Sequence, residues 1–329
     1  MTIDKNIFSL KDPRSELMTY DDSCIDLVVT APPVFTMKGK EVYYNDTNYS
    51  WDTFDEYIDY MGTVFTEVYR MLKNRHYCII TVGDSSTLVG DRLWDTKTYP
   101  LAAHFTKLLE WIGFTYVSEY TIDKGGKALA GTGRKDCYPF MVSPVNSTEH
   151  VLIFVKNENT NTPIPCPRCG NKDTKGYGYT VKGDKRWACY NCWSWGHVFY
   201  ERSIMINSYR TEENLIPTNL FDKWSRGVVQ VSPIFKDESK HRYLPYEVAE
   251  MAILFYSGVG DIVLDPFSGV GCALLTAVKF KRRFVCFERD KQEVNLFLDG
   301  LRVSLELFEK ANKEAESGYE KEENSAADS

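Results

Sequence analysis

The fold is decided by the stretch Asp261-Ile262-Val263-Leu264-Asp265-Pro266-Phe267-Ser268-Gly269-Val270-Gly271-Cys272-Ala273. It begins as a short apolar strand, turns tightly at two glycines and continues as a helix through Leu274, Leu275 and Val278. Glycine permits backbone conformations that a side chain would block, and amides at a helix start are exposed donors. The stretch predicts an α/β sheet with a ligand crevice at the strand ends, although an ordinary strand-to-helix turn would leave a similar pattern.

A second strand and an acid follow this helix. Apolar residues between Arg283 and Phe287 begin twelve residues after Gly271, and Glu288 comes directly behind them. In nucleotide-binding sheets, an acid at the end of the second strand meets the ribose hydroxyls of the ligand. The whole series therefore predicts a nucleotide-like ligand more strongly than the two glycines alone.

Length and composition limit the class of protein. The chain has 329 residues, of which 43% are hydrophobic and 14% aromatic, enough for one large α/β domain with an insertion. No apolar run approaches the length of a membrane helix, and the first residues contain no signal-peptide core. We therefore expect a cytoplasmic protein with no membrane partner.

The net charge of −7 by itself argues against a nucleic-acid partner. However, seven acids and three lysines, a net of −4, lie within residues 309–329, a tail that we predict to be disordered. The rest of the chain has a net charge of only −3, so a local basic patch can still bind phosphates.

Four of the nine cysteines form two C-x-x-C pairs, Cys166 with Cys169 and Cys189 with Cys192, separated by nineteen residues. Two such pairs at this spacing are a strong signal for a tetrahedral structural zinc site. Because the residues between them are too few to bury a core, the metal must hold the small ribbon together. The other five cysteines are scattered singly, which suits a reducing compartment better than a disulfide framework.

The predicted ribbon is basic and aromatic. Residues 166–197 carry six cations against two acids, a net charge of +4, with Trp187, Trp193 and Trp195 interleaved. Cations that meet phosphates and rings that stack on bases favour a nucleic-acid partner; a structural strut or a protein-docking site is the alternative. His197 is interpreted as a bystander, because four cysteines already complete the metal site.

A second motif lies early in the chain. The apolar strand Ile25–Thr30 ends at Ala31-Pro32-Pro33-Val34-Phe35. The prolines prevent a paired strand from continuing and leave the carbonyls of Ala31 and Pro32 as candidate free acceptors. The tyrosine-rich stretch Met37–Asn48 that follows is either a mobile lid or a surface loop.

Periodicity and turn residues place the remaining elements. A capping box of Thr53 and Glu56 opens a helix with an aromatic stripe. Further helices are predicted over residues 99–112, 247–256 and 291–311, and strands over 76–84, 114–123 and 149–156. Glycines mixed with cations over 124–127 and 131–135 predict either a phosphate contact or a flexible loop. Residues 200–240 are interpreted as mostly irregular.

Together, Thr30–Phe35 and Asp265–Gly271 resemble the paired motifs of the N4-cytosine/N6-adenine DNA methyltransferases. The catalytic motif precedes the cofactor motif with a long insertion between them, which resembles the order of the beta class. The resemblance covers roughly residues 20–156 and 220–305. It implies a Rossmann-like, mostly parallel sheet with helices on both faces, interrupted by the zinc ribbon.

The resemblance also implies an activity. The enzyme would move a methyl group from S-adenosylmethionine to an exocyclic amine, cytosine N4 or adenine N6, of a flipped base in DNA. Such a protein would be encoded by a bacterium, an archaeon or a phage, with a cognate restriction enzyme as a candidate partner.

The resemblance further assigns site residues. S-adenosylmethionine is expected at Asp265, Pro266, Phe267, Ser268, Gly269 and Gly271, with its ribose hydroxyls on Glu288. The segment that closes over its methionine end is expected to carry His241, Tyr243 and Pro245. The catalytic positions are Ala31, Pro32, Pro33 and Val34, followed by Phe35.

Two of these positions depart from the family pattern. The family has Ser, Asp or Asn in place of Ala31, where the side chain accepts a hydrogen bond from the amine, and an aromatic in place of Val34, which stacks on the base. Phe35 is a candidate substitute for the ring and Asp84 for the acceptor. The alternatives are a protein that binds cofactor and DNA with weakened catalysis, and an RNA methyltransferase that uses the ribbon on RNA.

We predict four parts along the chain. Residues 1–156 form the catalytic half of the methyltransferase domain, and 157–220 form the zinc-ribbon insertion that recognises the target. Residues 221–308 form the half that binds S-adenosylmethionine, and 309–329 form the acidic tail.

Overall fold

The computed structural model describes residues 3–38, 49–88, 96–123, 148–158, 163–180, 185–192, 197–231 and 244–290. The helices are α1 (Pro13–Glu16), α2 (Phe54–Met71), α3 (Leu101–Ile112), α4 (Glu201–Ser208), α5 (Thr218–Trp224), α6 (Tyr246–Tyr256) and α7 (Cys272–Lys279), with 3-10 turns at Leu17–Thr19 and Glu212–Asn214. The strands are β1 (Ile7–Ser9), β2 (Ile25–Thr30), β3 (Leu72–Val82), β4 (Ser85–Leu88), β5 (Thr96–Tyr99), β6 (Phe114–Asp123), β7 (Thr148–Lys156), β8 (Lys175–Tyr179), β9 (Lys185–Cys189), β10 (His197–Tyr200), β11 (Val228–Gln230), β12 (Ile262–Asp265) and β13 (Arg283–Phe287).

Eight strands form the main sheet, in the order β1-β13-β12-β2-β3-β7-β6-β11. All neighbours are parallel except β7, which runs antiparallel to both β3 and β6. The prediction of a mostly parallel α/β sheet is confirmed. Because β12 lies beside β2, the chain brings its late glycine motif next to its early proline motif.

The central strand β2 is buried along its whole length, and its residues alternate between two apolar layers. Val28 belongs to the layer that contains helices α2 and α3. Leu27 and Val29 belong to the layer that contains α6 and α7. Helices therefore cover both faces of the sheet, as predicted, and a continuous apolar strand is what such a buried position requires.

Helix α2 begins at the predicted capping box. The Thr53 side chain accepts a hydrogen bond from the Glu56 amide at 3.2 Å, and the Glu56 carboxylate accepts one from the Asp52 amide at 3.0 Å. The acid therefore reaches one residue further back than in the usual reciprocal pair. The aromatic stripe packs into the core, with Tyr57 and Phe65 fully buried.

A small separate sheet of order β10-β9-β8 carries the cysteine pairs. The region 200–240, predicted to be mostly irregular, is more ordered than expected where it is described. It contains α4, α5 and the short strand β11, which pairs with β6 at one edge of the main sheet. The buried Trp224 at the end of α5 joins the core beneath α6, and this burial explains why the segment is structured.

Several expectations lie outside the described residues: most of the loop 37–48, the cation-rich loop 124–135, the last helix 291–311 and the tail 309–329. The four-part division of the chain stays a prediction. Along the described part of the chain, none of the helices combines the length and the apolar character that crossing a bilayer requires.

Candidate active site

The two motifs meet at the carboxyl ends of β2 and β12. Leu27 pairs with Val263 and Val28 with Leu264, so the two strands end side by side. The last residue of β2, Thr30, donates a hydrogen bond from Oγ1 to Oδ1 of Asp265 at 2.5 Å. This bond joins the start of the proline motif directly to the start of the glycine turn.

The turn after β12 has the backbone that its glycines make possible. Gly269 and Gly271 lie at φ values of 49° and 76°, which side chains disfavour. The Gly269 amide donates to Oε2 of Glu288 at 2.8 Å, and Oε1 of Glu288 accepts from the Asp290 amide at 2.8 Å. Glu288 therefore holds the turn in place, and its carboxylate retains lone pairs for further donors.

Asp265 is a buried acid at the centre of this arrangement. Burial raises its pKa to about 7; the bonds from Thr30 and the Phe267 amide oppose that shift, and the charge of Glu288 adds to it. Its second oxygen, Oδ2, is buried and accepts no hydrogen bond from the described residues. An unpaired buried oxygen is costly, and a ligand with a donor or a positive charge would satisfy it.

Aromatic side chains form one wall beside the turn. Phe267 lies 6.0 Å from Tyr49 and 6.5 Å from Tyr60, measured between ring centroids. The guanidinium carbon of Arg289 lies 3.7 Å from the centroid of the Tyr49 ring. The three rings are buried, so this wall gives the turn a packed apolar flank beside the Arg289 cation.

The carbonyls of the proline motif have different partners. The Tyr57 hydroxyl donates to the Pro33 carbonyl at 3.1 Å, and the Ser85 hydroxyl donates to the Phe35 carbonyl at 2.6 Å. Within the described ranges, nothing donates to the Pro32 carbonyl. Pro32 therefore offers the free acceptor that the sequence suggested.

A pocket opens beside this motif. Its lining consists of Ala31, Pro32, Val34, Thr81, Val82, Gly83, Leu101 and Glu149. The predicted substitute acceptor, Asp84, is not among the lining residues, although Gly83 before it is. A buried acid from another strand, Glu149, is one of the lining residues instead.

Val34 lines this pocket, while Phe35 points into the core. Phe35 is fully buried, with ring centroids 4.9 Å from Tyr99, 5.2 Å from Phe54 and 5.6 Å from Tyr57. In this arrangement the ring of Phe35 has no face open to a base. The idea that it replaces the stacking aromatic therefore gains no support from its position.

The third group of expected cofactor residues is only partly described. Pro245 caps α6, and its carbonyl accepts from the Val248 and Ala249 amides at 3.1 and 3.0 Å. His241 and Tyr243 lie outside the described residues. Pro266 and Ser268 lie in the turn and are buried.

The four predicted metal ligands come together. The sulfurs of Cys166, Cys169, Cys189 and Cys192 all lie within 4.8 Å of one another. The Cys166–Cys192 and Cys169–Cys189 sulfur distances are 3.9 and 3.7 Å. A tetrahedral zinc with Zn–S bonds of about 2.3 Å places its sulfurs roughly 3.8 Å apart, so this set fits that ion. His197 Nδ1 lies 3.4 Å from the Cys166 sulfur, beside the group.

The surface of the ribbon differs from the sequence-based expectation. Trp187, predicted as a stacking ring, is buried, and its indole nitrogen donates to Oε2 of Glu201 at 3.3 Å. Among the described residues of the ribbon, the exposed large aromatic rings are tyrosines: Tyr177, Tyr179, Tyr190 and Tyr200. Trp193 and Trp195 lie outside the described residues.

A mostly parallel sheet with a glycine turn and a proline motif at the carboxyl ends of two neighbouring strands is typical of the Rossmann-like α/β class. The profile described as "DNA methylase" matches residues 25–299, and the chain belongs to this DNA methylase family. The prediction of an N4-cytosine/N6-adenine methyltransferase relationship is thereby confirmed.

Two curated relatives are similar in sequence. The Type II beta methyltransferase M.BslI of Bacillus sp. (strain NEB-606) is 22% identical over 305 residues, 80% of this chain and 32% of that protein. The Type II methyltransferase M.MjaI of Methanocaldococcus jannaschii is 24% identical over 237 residues, 69% of this chain and 62% of that protein. The chain thus spans about a third of the first relative and under two thirds of the second.

Solved structures share the fold. TTHA0409, a candidate DNA modification methylase of Thermus thermophilus solved with S-adenosyl-L-methionine, matches with a TM-score of 0.58 at 20% identity, over 89% of this chain and 91% of that one. The cytosine-N4-specific PvuII DNA methyltransferase matches with a TM-score of 0.50 at 14% identity, over 90% and 86%. At these identities, the likeness concerns the fold.

Sequence reasoning missed several residues of this site. Thr30 belongs to the motif Thr30–Phe35 but was not among the expected site residues, and its bond to Asp265 is visible only in the structure. Thr81 and Glu149 reach the site from other strands, which only the pairing of β3 with β7 shows. Tyr49 reaches it through its ring contact with Phe267.

Proposed function

We propose that this chain is an S-adenosylmethionine-dependent DNA methyltransferase that modifies cytosine N4 or adenine N6. The observation that carries the proposal is the Thr30–Asp265 hydrogen bond, which fixes the glycine turn beside the proline motif. A methyl donor bound at the glycine turn and a base held at the proline motif would therefore be adjacent. Membership of the DNA methylase family and a fold shared with a structure that contains the cofactor support this reading.

The cofactor would be held by the turn. The open backbone at Gly269 and Gly271 allows close approach, the Glu288 carboxylate can accept from ribose hydroxyls, and Asp265 Oδ2 can meet a positive group. The apolar flank at Phe267 and Tyr49 would lie beside the adenine ring. When bound, S-adenosylmethionine supplies an activated methyl group on a sulfonium. Pro245 would position the segment that closes over the methionine end of S-adenosylmethionine.

The proline motif would orient the base. An exocyclic amine is a weak nucleophile, because its lone pair is delocalised into the ring. An acceptor that takes an N–H bond favours a pyramidal nitrogen, and the free carbonyl of Pro32 can do this. Ala31 adds no acceptor, and Val34 offers only an apolar contact, so the other determinants of the base pocket must come from elsewhere.

The ribbon would bind zinc and contact nucleic acid. Its four sulfurs suit a tetrahedral zinc, which would hold a segment whose core consists of little more than Trp187 and Phe199. The Arg186 guanidinium lies 5.5 Å from the centroid of the exposed Tyr177 ring. A cation beside an exposed ring suits a phosphate next to a base. We assign target recognition to residues 157–220, between the halves 1–156 and 221–308.

Methyl transfer from tritiated S-adenosylmethionine to duplex DNA, single-stranded DNA and RNA tests the proposal. We expect label in DNA, recovered after hydrolysis as N4-methylcytosine or N6-methyladenine. Preferred labelling of RNA would support an RNA methyltransferase instead. Ala31 and Val34 favour one further candidate, a protein that binds cofactor and DNA with weakened catalysis. Tight binding of both without label in any substrate would select that candidate.

A cellular role follows from the same proposal. The relatives M.BslI and M.MjaI are Type II methyltransferases, so we infer a cytoplasmic modification enzyme with a cognate restriction endonuclease. Digestion of genomic DNA from cells with and without the intact gene would reveal sites that the methylation protects. Equal digestion by all restriction enzymes would contradict this role.

A further inference from the structure

We propose that the Glu149 carboxylate contacts the exocyclic amine of the target base as the hydrogen-bond acceptor that Ala31 lacks. This role rests on the proposed methyltransferase function and adds to it a residue from outside the proline motif. The pocket would thereby select bases with an amino group at the position of cytosine N4 or adenine N6.

Strand pairing places Glu149 at the proline motif. It lies two residues before Val151, which pairs with Thr81 across the antiparallel β3–β7 ladder. Side chains alternate along a strand, so Glu149 and Thr81 emerge on the same face of the sheet. Ala31 packs on the apolar cluster that contains Val151, so it belongs to this face as well. All three residues line the same pocket.

Both polar side chains are unusually buried. Glu149 and Thr81 are each only 4% exposed. Thr81 Oγ1 is buried and has no hydrogen-bond partner in the part of the chain that the structure describes. An unpaired buried hydroxyl is costly, so Thr81 Oγ1 beside a buried acid in one pocket indicates a polar ligand. Glu149 need not be free for this role, because a carboxylate has about four acceptor sites.

The chemistry of the pocket matches the edge of an amino base. Cytosine and adenine each present an exocyclic NH₂ group beside an unprotonated ring nitrogen. The Pro32 carbonyl and Glu149 would accept the two N–H groups, while the Thr81 hydroxyl would donate to the ring nitrogen. Thymine and guanine place a carbonyl oxygen where the amine would lie, and a carboxylate disfavours that oxygen.

Nucleoside binding tests this contact without turnover. Saturation-transfer NMR would compare deoxycytidine, deoxyadenosine and thymidine with the wild type, Glu149→Leu and Glu149→Gln. We expect a signal for at least one amino nucleoside and none for thymidine, with loss of the signal in Glu149→Leu. Equal signals for thymidine, or an unchanged signal in Glu149→Leu, would overturn the role of Glu149 whether or not the protein transfers methyl groups.

Methyl-transfer rates at saturating cofactor provide the second test. We expect a rate about 100-fold lower for Glu149→Leu and about 10-fold lower for Glu149→Gln, whose amide oxygen still accepts. Ala31→Ser added to Glu149→Leu should recover part of the loss, because it restores an acceptor. Glu119→Leu on the neighbouring strand is the matched control, since Glu119 is outside the pocket lining and its side chain is 45% exposed.

The outcomes separate the two proposals. If the wild type methylates DNA and the Glu149→Leu variant does so equally well, the proposed methyltransferase function stands and the proposed role of Glu149 is refuted. A wild type that discriminates nucleosides but never transfers a methyl group would retain the base contact and refute the enzyme. Cofactor affinity within about twofold of the wild type shows that each variant is folded; if Glu149→Leu fails this check, Glu149→Gln decides by the same two readouts.

Discussion

The buried carboxyl of Asp265 leads to a quantitative prediction about how cofactor binding depends on pH. Its buried carboxyl has a pKa near 7, and Oδ2 accepts no hydrogen bond from the described residues. A cationic ligand stabilises the ionised form, so binding of S-adenosylmethionine should release a proton from Asp265. With a pKa of about 7, the fraction ionised falls to roughly a tenth at pH 6. The apparent affinity should therefore be about tenfold weaker at pH 6 than at pH 8.

The assay is isothermal titration calorimetry at pH 6, 7 and 8 on the wild type and Asp265→Asn. The variant should bind more weakly at pH 8 and lose most of the pH dependence. The difference between the two proteins cancels any titration of the ligand itself. Glu288 also lies near, and Glu288→Gln should keep the slope if Asp265 causes it. Burial raises the pKa of Cys272 to about 12 and that of Cys286 well above its ordinary value, so neither titrates in this range.

Stability without cofactor provides an independent check. Because the folded pKa of Asp265 is raised from 3.8 to about 7, the folded state binds the proton more tightly between those values, and stability falls as pH rises through them. Asp265→Asn should remove a penalty on the order of 4 kcal/mol at pH 8 and none at pH 4. The reasoning is refuted if the wild type and Asp265→Asn show the same pH dependence, both in cofactor affinity and in the free energy of unfolding.

Three further predictions concern other parts of the structure. Glu288→Ala should weaken S-adenosylmethionine binding by about 1.5–3 kcal/mol, measured by calorimetry, and unchanged affinity would remove this strand end from the site. Elemental analysis should find about one zinc per chain, and a Cys189→Ser/Cys192→Ser double variant should lose both metal and DNA affinity; a variant that keeps both contradicts the ribbon assignment. Asp26→Ala should lower the unfolding free energy by about 1–3 kcal/mol in urea, because Asp26 accepts from the Lys73 ammonium at 2.6 Å and from the first amide of β12 at 2.9 Å. Asp26→Asn, which keeps acceptors, is its control and should lose less.

Long apolar segments between strong boundary residues were predictable from the sequence. β2 is bounded by the proline motif, β13 by Glu288, and β6 follows Gly113; each has the predicted limits. The edge strands β1 and β11 were missed because three residues are too few to show a periodic pattern. Their position depends on pairing with β13 and β6, which is tertiary information.

The candidate site was predictable only where residues are neighbours in the chain. The two motifs and the cysteine pairs are local patterns with a chemical meaning, and the structure brings each set together. Glu149 has no such local signal, since it lies at the start of an ordinary apolar strand. Trp187 was misjudged because its role depends on β9, whose alternate side chains form the core of the ribbon.

The neighbours β2 and β12 are separated by most of the chain, and this has a consequence for synthesis on the ribosome. The Thr30–Asp265 contact spans 235 residues. At typical translation rates, roughly ten to fifty seconds pass between the emergence of its two ends. Throughout that interval, the apolar strand β2 has an unpaired edge of the kind that recruits other chains. We expect the nascent protein to need chaperone protection until residue 265 has left the exit tunnel.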